Sequence, residues 1–433
     1  MHLALLISNS VSPHTIGQWR LPRSYRGFNF TDPEFWEHLA RTAERGLFDM
    51  VFFADAYSLH DVYKGTPDDT IRYAVQYPRL DPLPLIPMMS RVARQLGFGV
   101  TGSTTFLPPY WLARHFATLD HLTGGRIGWN IVMSYARSEA VNFGLDQMLE
   151  HDDRYAVAEE YVDLCNQLWS SWDEDAVVWD REHGIYADPS KVHKINFAGD
   201  HFRCEGPLHV PASPQGRPLM LQAGQSPRGL AFAAKHAEVC FAVRHNAKGM
   251  RSHRKSLDAE LAKIGRIDRP KILWGIMPIV AETHAQAVEK QRQLIENVPL
   301  EAALAMMSGH FGVDLSKVPL DEPLENVEGA QGVRGSMAAI AEDYSDRMTL
   351  RQLAPRFGAG IAPHVVGSPA EIADQLEAFH DAADGDGFML VTHALPGSLE
   401  EFVELVVPEL QRRGVFRKAY SPGTLRQRFM DTD

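Results

Sequence analysis

The chain runs to 433 residues, 45% hydrophobic and 23% charged, a globular composition with enough apolar material for a large core. Its formal net charge of -12 argues against nucleic-acid binding, because a phosphate backbone calls for a basic surface. Three dispersed cysteines (Cys165, Cys204 and Cys240) fit a reducing compartment; with no basic leader and no apolar run near the roughly 20 residues of a membrane span, a cytoplasmic location is expected.

Short apolar runs alternate with amphipathic helical stretches, the pattern of βαβ units around a parallel sheet. Residues 3–7 read as the first strand. Thr31-Asp32-Pro33 then opens a helix to about Arg45, which Gly46 stops. A second strand at 49–53 precedes a helix at 85–96, and a third at 98–100 precedes a helix at 111–122 ended by Gly124-Gly125. A fourth strand at 127–132 precedes a long helix at 154–172. Strands at 219–222, 239–243, 272–280 and 388–392 follow, with helices at 227–236, 252–264, from His284, and at 399–412. Eight such pairs close a barrel, so the expected fold is α/β, a single (β/α)₈ TIM barrel spanning 1–433.

Two stretches break the rhythm. Residues 173–217 are rich in Asp, Pro, Gly and His, with a strand-like piece at 177–179. Residues 300–365 carry Gly and Pro, with a helix expected near 344–353. Long inserts in a compact domain are often functional, and both are expected to act as lids.

In a barrel of this kind the chemistry sits where the strands end. Ser8, Asn9 and His14 follow the first strand, Asp55 the second, and Thr101, Ser103 and Thr104 the third. Asn130 and Ser134 lie within and after the fourth, and Thr392-His393 close the eighth. Loops after strands are polar in any case, and Asp or Ser there serves equally as a helix cap. The gathering of polar groups at five or more strand ends is the stronger feature.

Gln222-Ala223-Gly224-Gln225-Ser226-Pro227-Arg228-Gly229 passes from strand into helix. It reads either as a phosphate cradle, with helix N–H groups, the Ser226 hydroxyl and Arg228, or as a plain Ser cap with Pro at the first helical position. His151 and Tyr155, four apart, share a helix face and are either phosphate donors or a solvated helix start. His14, His310 and His393 are acid–base candidates or hydrogen-bonded structural histidines. Tyr73, Gln76 and Tyr77 line a pocket or form an ordinary loop.

Other chemistries lack their motifs. Gly97-Phe98-Gly99-Val100-Thr101-Gly102 matches a dinucleotide fingerprint in spacing, yet its glycines lie inside a strand rather than after it. No HExxH occurs, the acidic run at 381–386 lacks the EF-hand ligand order, and no GxSxG elbow is present. No metal site is expected.

Five segments occur in a telling order: Ser12-Pro13-His14-Thr15 with Trp19-Arg20; Phe52-Phe53-Ala54-Asp55; Gly125-Arg126-Ile127-Gly128-Trp129-Asn130-Ile131-Val132; His151 with Arg154-Tyr155; and Gln222-Ala223-Gly224-Gln225-Ser226. Together they resemble the nitrilotriacetate monooxygenase family of bacterial luciferase-like flavoproteins, over nearly the whole chain. That resemblance implies an FMN-dependent two-component monooxygenase. It would use O₂ and FMNH₂ supplied by a separate NAD(P)H:flavin reductase, act on a small organic substrate, and assemble as a dimer or tetramer. Carried over by position, the cofactor contacts would be Asp55, Asn130, Ser134, His151, Tyr155 and Ser226, with Thr104 and the Gly224 backbone as additions. The catalytic candidates are His14, Asn130 and His310, with the 300–365 insert closing over them and bringing His310 and Phe311 toward the pocket. Met133 stands where many relatives have Thr, and Val11 and Tyr135 where some have Cys and His, so roles at those positions do not transfer. A deazaflavin-dependent oxidoreductase on the same barrel, or a non-catalytic flavin-binding protein, is the alternative reading.

Overall fold

The computed structural model describes residues 1–12, 14–21, 24, 29–322 and 348–430; Pro13 and the 344–347 start of the expected insert helix lie outside them. Eight parallel strands form a closed ring in chain order: β1 (His2–Ile7), β2 (Met50–Phe53), β3 (Gly97–Ser103), β4 (Ile127–Val132), β5 (Leu219–Gln222), β6 (Val239–Ala242), β7 (Lys271–Val280) and β8 (Gly387–Val391). Pairing of β6 with β7 and of β8 with β1 completes the circle. This is the expected (β/α)₈ barrel. The third strand runs three residues beyond its expected end, so Thr101, Gly102 and Ser103 are strand rather than loop.

Period-two alternation sorts the side chains. Ala4, Leu6, Met50, Phe52, Leu219, Leu221, Val239, Leu273, Met389 and Val391 fill the barrel. Leu3, Leu5, Val51, Phe53, Phe98, Val100, Trp129, Ile131 and Trp274 pack outward under the helices. Gly99 faces inward, where a Cβ would stand 2.7 Å from Leu221 Cδ1; the fingerprint-like glycines thus make room for core side chains. At the N-terminal mouth the helix Leu425–Met430 acts as a plug. Phe429 stacks on His2 with ring centroids 4.6 Å apart, and Leu425 sits where a Cβ on Gly97 would be.

Helices Pro33–Arg45, Leu85–Val92, Pro109–Thr123, His151–Trp169, Pro227–His236, Ala247–Ile264 and Pro369–Ala382 and the segment Gly397–Arg413 surround the strands. One expectation is corrected here. The helix after β7, His284–Glu296, does not take the ring position before β8; it packs on the long end of β7 and on the short strand His364–Gly367 paired with it. Pro369–Ala382 takes that position, opened by a capping box in which Ser368 and Glu371 satisfy each other's backbone N–H groups.

The two inserts differ in kind. Residues 173–217 form two small hairpins on the outer wall, where the Glu160 carboxylate accepts the N–H groups of Asp200, His201 and Phe202, and the Gln215 amide donates to Asp120. This insert is therefore a brace on the helices and not the expected lid. In the second insert, Leu300–Phe311 packs on Leu350–Gly358 and on Ile16 and Val298 over the C-terminal mouth.

The plug is the feature that seals the core. Phe429→Ala is expected to lower the unfolding free energy by about 3–5 kcal/mol, read from urea denaturation; a loss under about 1 kcal/mol would mean that the helix is peripheral.

Candidate active site

At the C-terminal mouth the strand ends enclose a cleft with two compartments. One is lined by Ile131, Met133, Ser134, His151, Arg154, Tyr155, Gln222 and Gly224. The other is lined by His14, His60, Val62, Val75, Gln76, Arg79, Gly309, His310 and Ile361. Asp55, Ala56, Tyr135 and Glu139 belong to both. The volumes, about 320 and 200 Å³, together match the roughly 300–1,000 Å³ of small-molecule pockets.

The first compartment is built by three chain segments. Gln222 ends β5 and its Oε1 accepts the Gly224 N–H at 2.7 Å, fixing the turn. Ser226 caps the next helix, accepting from Gly229 N at 3.0 Å, and the Tyr155 hydroxyl bonds to the Ser226 side chain. A Cβ on Gly224 or Gly229 would lie 3.0 or 2.9 Å from that hydroxyl, so only glycine lets the phenol approach. His151 lies one turn before Tyr155, ring centroids 5.1 Å apart. Arg228, a candidate phosphate charge, instead pairs with Glu159 at 2.6 Å and lies over the Tyr155 ring. Ser134 takes φ 46°, a left-handed conformation that costs a non-glycine residue energy and clusters at functional sites. Arg154 Nη1 donates to its carbonyl, and its hydroxyl lies 3.1 Å from Ser103 Oγ.

In the second compartment Gln76 joins two histidines. Its Nε2 is 3.4 Å from His14 Nδ1 and its Oε1 3.2 Å from His60 Nε2. His60 and His310 face each other with ring centroids 5.2 Å apart. Burial pushes both His14 and His310 down to about 3, reinforced by the Arg79 charge at His14 and by His60, His14 and Arg79 at His310. Both rings are therefore neutral near pH 7 and act as hydrogen-bonding groups rather than proton reservoirs. Between the compartments, Asp55 is pushed up to about 6, chiefly by burial, against the lowering effects of Arg79 and the Ala56 N–H. Glu139 is spent structurally: Oε1 accepts Tyr57 N and Oε2 accepts Ala136 N, tying the loops after β2 and β4.

Several buried polar atoms at this mouth lack a protein partner: Ser8 Oγ, His14 Nε2, Asn130 Oδ1, His310 Nδ1 and Thr392 Oγ1. Each such group costs roughly 1–3 kcal/mol if left unsatisfied, and their clustering at one end of an otherwise apolar core marks a binding region.

Of the residues singled out from sequence, Asp55, Ser134, His151, Tyr155 and Gly224 meet on the shared cleft with His14 and His310, and Ser226 stands behind Tyr155. Asn130 points inward from β4, its amide donating to Thr101 Oγ1 at 2.8 Å. Thr104 does not join the lining; it is buried, with its hydroxyl 3.3 Å from the Val132 carbonyl. Phe311 turns to Phe357 instead of the cleft. Gln76 belongs to the pocket. His60, Arg79 and Glu139 were missed: His60 and Arg79 sit in an irregular loop where sequence periodicity carries no positional information, and Glu139 lies in the helix Arg137–Asn142, too short to show a period.

A family model described as luciferase-like monooxygenase matches residues 2–406. The chain is 40% identical over 434 residues to dibenzothiophene-sulfone monooxygenase of Rhodococcus erythropolis (strain XP), covering 98% of this chain and 95% of that one. It is 38% identical over 423 residues to nitrilotriacetate monooxygenase component A of Aminobacter aminovorans, covering 95% and 92%. Its fold matches the crystal structure of a riboflavin lyase holding modified FMN and riboflavin with a TM-score of 0.90 and 33% identity, covering 100% and 96%.

The Asp55 environment gives a signed pH test. The folded carboxyl holds its proton to higher pH than an unfolded aspartate, so stability rises as pH falls from about 6 toward the ordinary Asp value near 3.9. With the side chain 11% exposed, Asp55→Asn is expected to gain about 2–3 kcal/mol at alkaline pH. That advantage shrinks to nothing below about pH 4. Urea unfolding at both pH extremes reads it; an equal gap at both would refute the burial account.

Proposed function

This chain belongs to the luciferase-like monooxygenase family, and from that premise we propose that it is the oxygenase of a two-component system. It takes reduced FMN from a separate NAD(P)H:flavin reductase and uses O₂ to place one oxygen atom in a small organic substrate. The observation that carries this reading is the single cleft on which Asp55, Ser134, His151, Tyr155 and Gly224, drawn from four stretches of chain, converge. A relative named as component A and a structural neighbour holding modified FMN support it.

The cleft suits that cofactor on its own features. Tyr155, Ser226, His151 and the N–H groups opening Pro227–His236 form a phosphate-sized donor set beside two glycines that a Cβ would crowd. Asp55, Ser134 and Asn130, with its orphaned Oδ1, provide polar contacts for the ring portion; Thr104 would contribute only as support, because its hydroxyl is already engaged. Bound reduced FMN supplies the two electrons for O₂, one oxygen atom going to substrate and the other to water.

The chain's own residues set the conditions for that chemistry. Leu300–Phe311 roofs the second compartment through Gly309 and His310, limiting the access of water. His14 and His310, held neutral, orient the substrate by hydrogen bonds, and Gln76 fixes the His14 and His60 rings. Asn130 stands below the lining of the two compartments with its amide donating to Thr101; in this reading it is the neutral donor that favours charge developing on oxygen.

FMN titration followed by flavin fluorescence tests the reading. The wild type is expected to bind FMN. Tyr155→Phe, which keeps the ring packing but loses the hydroxyl, is expected to weaken binding about 10- to 100-fold, as does losing a hydrogen bond to a charged group. Wild-type protein that binds no FMN, or a Tyr155→Phe variant that binds it equally well, would remove the assignment.

A further inference from the structure

Arg79 is a charge that the functions assigned so far do not use. It sits in the loop after β2, held by a backbone bridge to Ser10, and its side chain is 13% exposed. Its Nε is buried without a hydrogen-bond partner. Among the described residues the carboxylate paired with it is Asp55, whose Oδ1 lies 4.0 Å from Nη1, outside the roughly 2.7–2.9 Å of an engaged charge-assisted pair. That same Oδ1 already accepts the Ala56 N–H at 2.9 Å.

Asp55 and Glu139 act on the guanidinium through space, but among the described residues no carboxylate is in hydrogen-bond contact with it. His14, His60 and His310 are displaced toward their neutral forms by burial and by Arg79 itself. Glu139 is committed to backbone N–H groups. Asp61, on the same lining, makes no ion pair with Arg79. Val62, Val75 and Ile361 supply apolar wall. A largely buried cation whose carboxylate neighbour stands beyond hydrogen-bond reach is costly, and a planar fork with an unpartnered Nε matches a carboxylate or sulfonate.

We infer that Arg79 is a specificity residue that selects, within the second compartment, small organic substrates carrying an anionic group, a carboxylate or sulfonate. The anion docks on the guanidinium while the apolar remainder packs on Val62, Val75 and Ile361. This rests on the cleft being the site of oxygenation proposed above. A second source of negative charge is the reduced flavin itself, and the experiment separates the two.

The test is calorimetric binding, without turnover, of 3-(methylthio)propanoate and its neutral amide, 3-(methylthio)propanamide, to FMN-saturated protein. The wild type is expected to prefer the acid at least about tenfold. Arg79→Gln should abolish the preference and leave FMN affinity within about twofold, and Arg79→Lys should retain part of the preference, as a charge without the fork. The wild-type comparison needs no variant, so misfolding of Arg79→Gln does not blunt it. Equal binding of acid and amide by the wild type, no binding of the acid, or a preference surviving in folded Arg79→Gln overturns the inference. Loss of FMN affinity in Arg79→Gln with the preference intact also overturns it, assigning the guanidinium to the flavin. Failure of wild-type protein to bind FMN would strike the oxygenase reading instead, while the acid–amide comparison in the flavin-free protein still reports on Arg79.

Discussion

The closure of the sheet between β8 and β1 is the constraint from which the rest follows. With the ring closed and every strand parallel, all eight C-terminal ends emerge at one mouth, and alternation allows only every second residue inside. Leu6, Phe52 and Val391 are the last apolar side chains of their strands to point inward. Beyond this layer the polar residues Ser8, Asp55, Thr101, Ser103 and Asn130 gather, interleaved with apolar wall such as Val62, Val75 and Ile361. The plug of Leu425 and Phe429 at the opposite mouth keeps the lower interior dry. Hydrophobic burial and polar recognition are thus divided along one axis, each at its own end.

That division has an energetic cost. The mouth holds orphaned polar atoms, a left-handed Ser134, a carboxyl displaced upward and a guanidinium lacking a close partner. Each lowers stability relative to an apolar filling. The apolar barrel interior and the outer layer under the helices make such a site tolerable, and perturbed groups gathered in a cleft are the usual mark of function. The histidines illustrate how environment sets chemistry: the burial that makes His14 and His310 accessible only to a bound molecule also keeps them neutral.

The two inserts show how a barrel acquires individuality. The outer brace fastens to Glu160 and Asp120 on wall helices, whereas the mouth insert lays Gly309 and His310 on the cleft. Gly309 leaves no space for a side chain, since a Cβ would lie 2.0 Å from His60 Nδ1. The roof and the loop after β2 are therefore fitted to each other, and the substrate compartment is shaped by both.

Much was legible from the chain alone, because it depends on near-neighbour physics. Strand runs, the Asp32-Pro33 and Ser226-Pro227 helix starts and the polar residues trailing each strand all follow from local periodicity and capping. From them came the barrel, and the residues at its strand ends gave most of the cleft. What local pattern does not carry is which distant segments meet. Only the tertiary structure decided that Pro369–Ala382, and not His284–Glu296, completes the helical ring, that 173–217 braces the wall, and that Thr104 turns its hydroxyl to a backbone carbonyl. It alone brought Gln76, His60, Arg79 and His310 together, because the loop residues have no fixed period and the helix carrying His310 is set on the mouth by packing against elements far away in sequence.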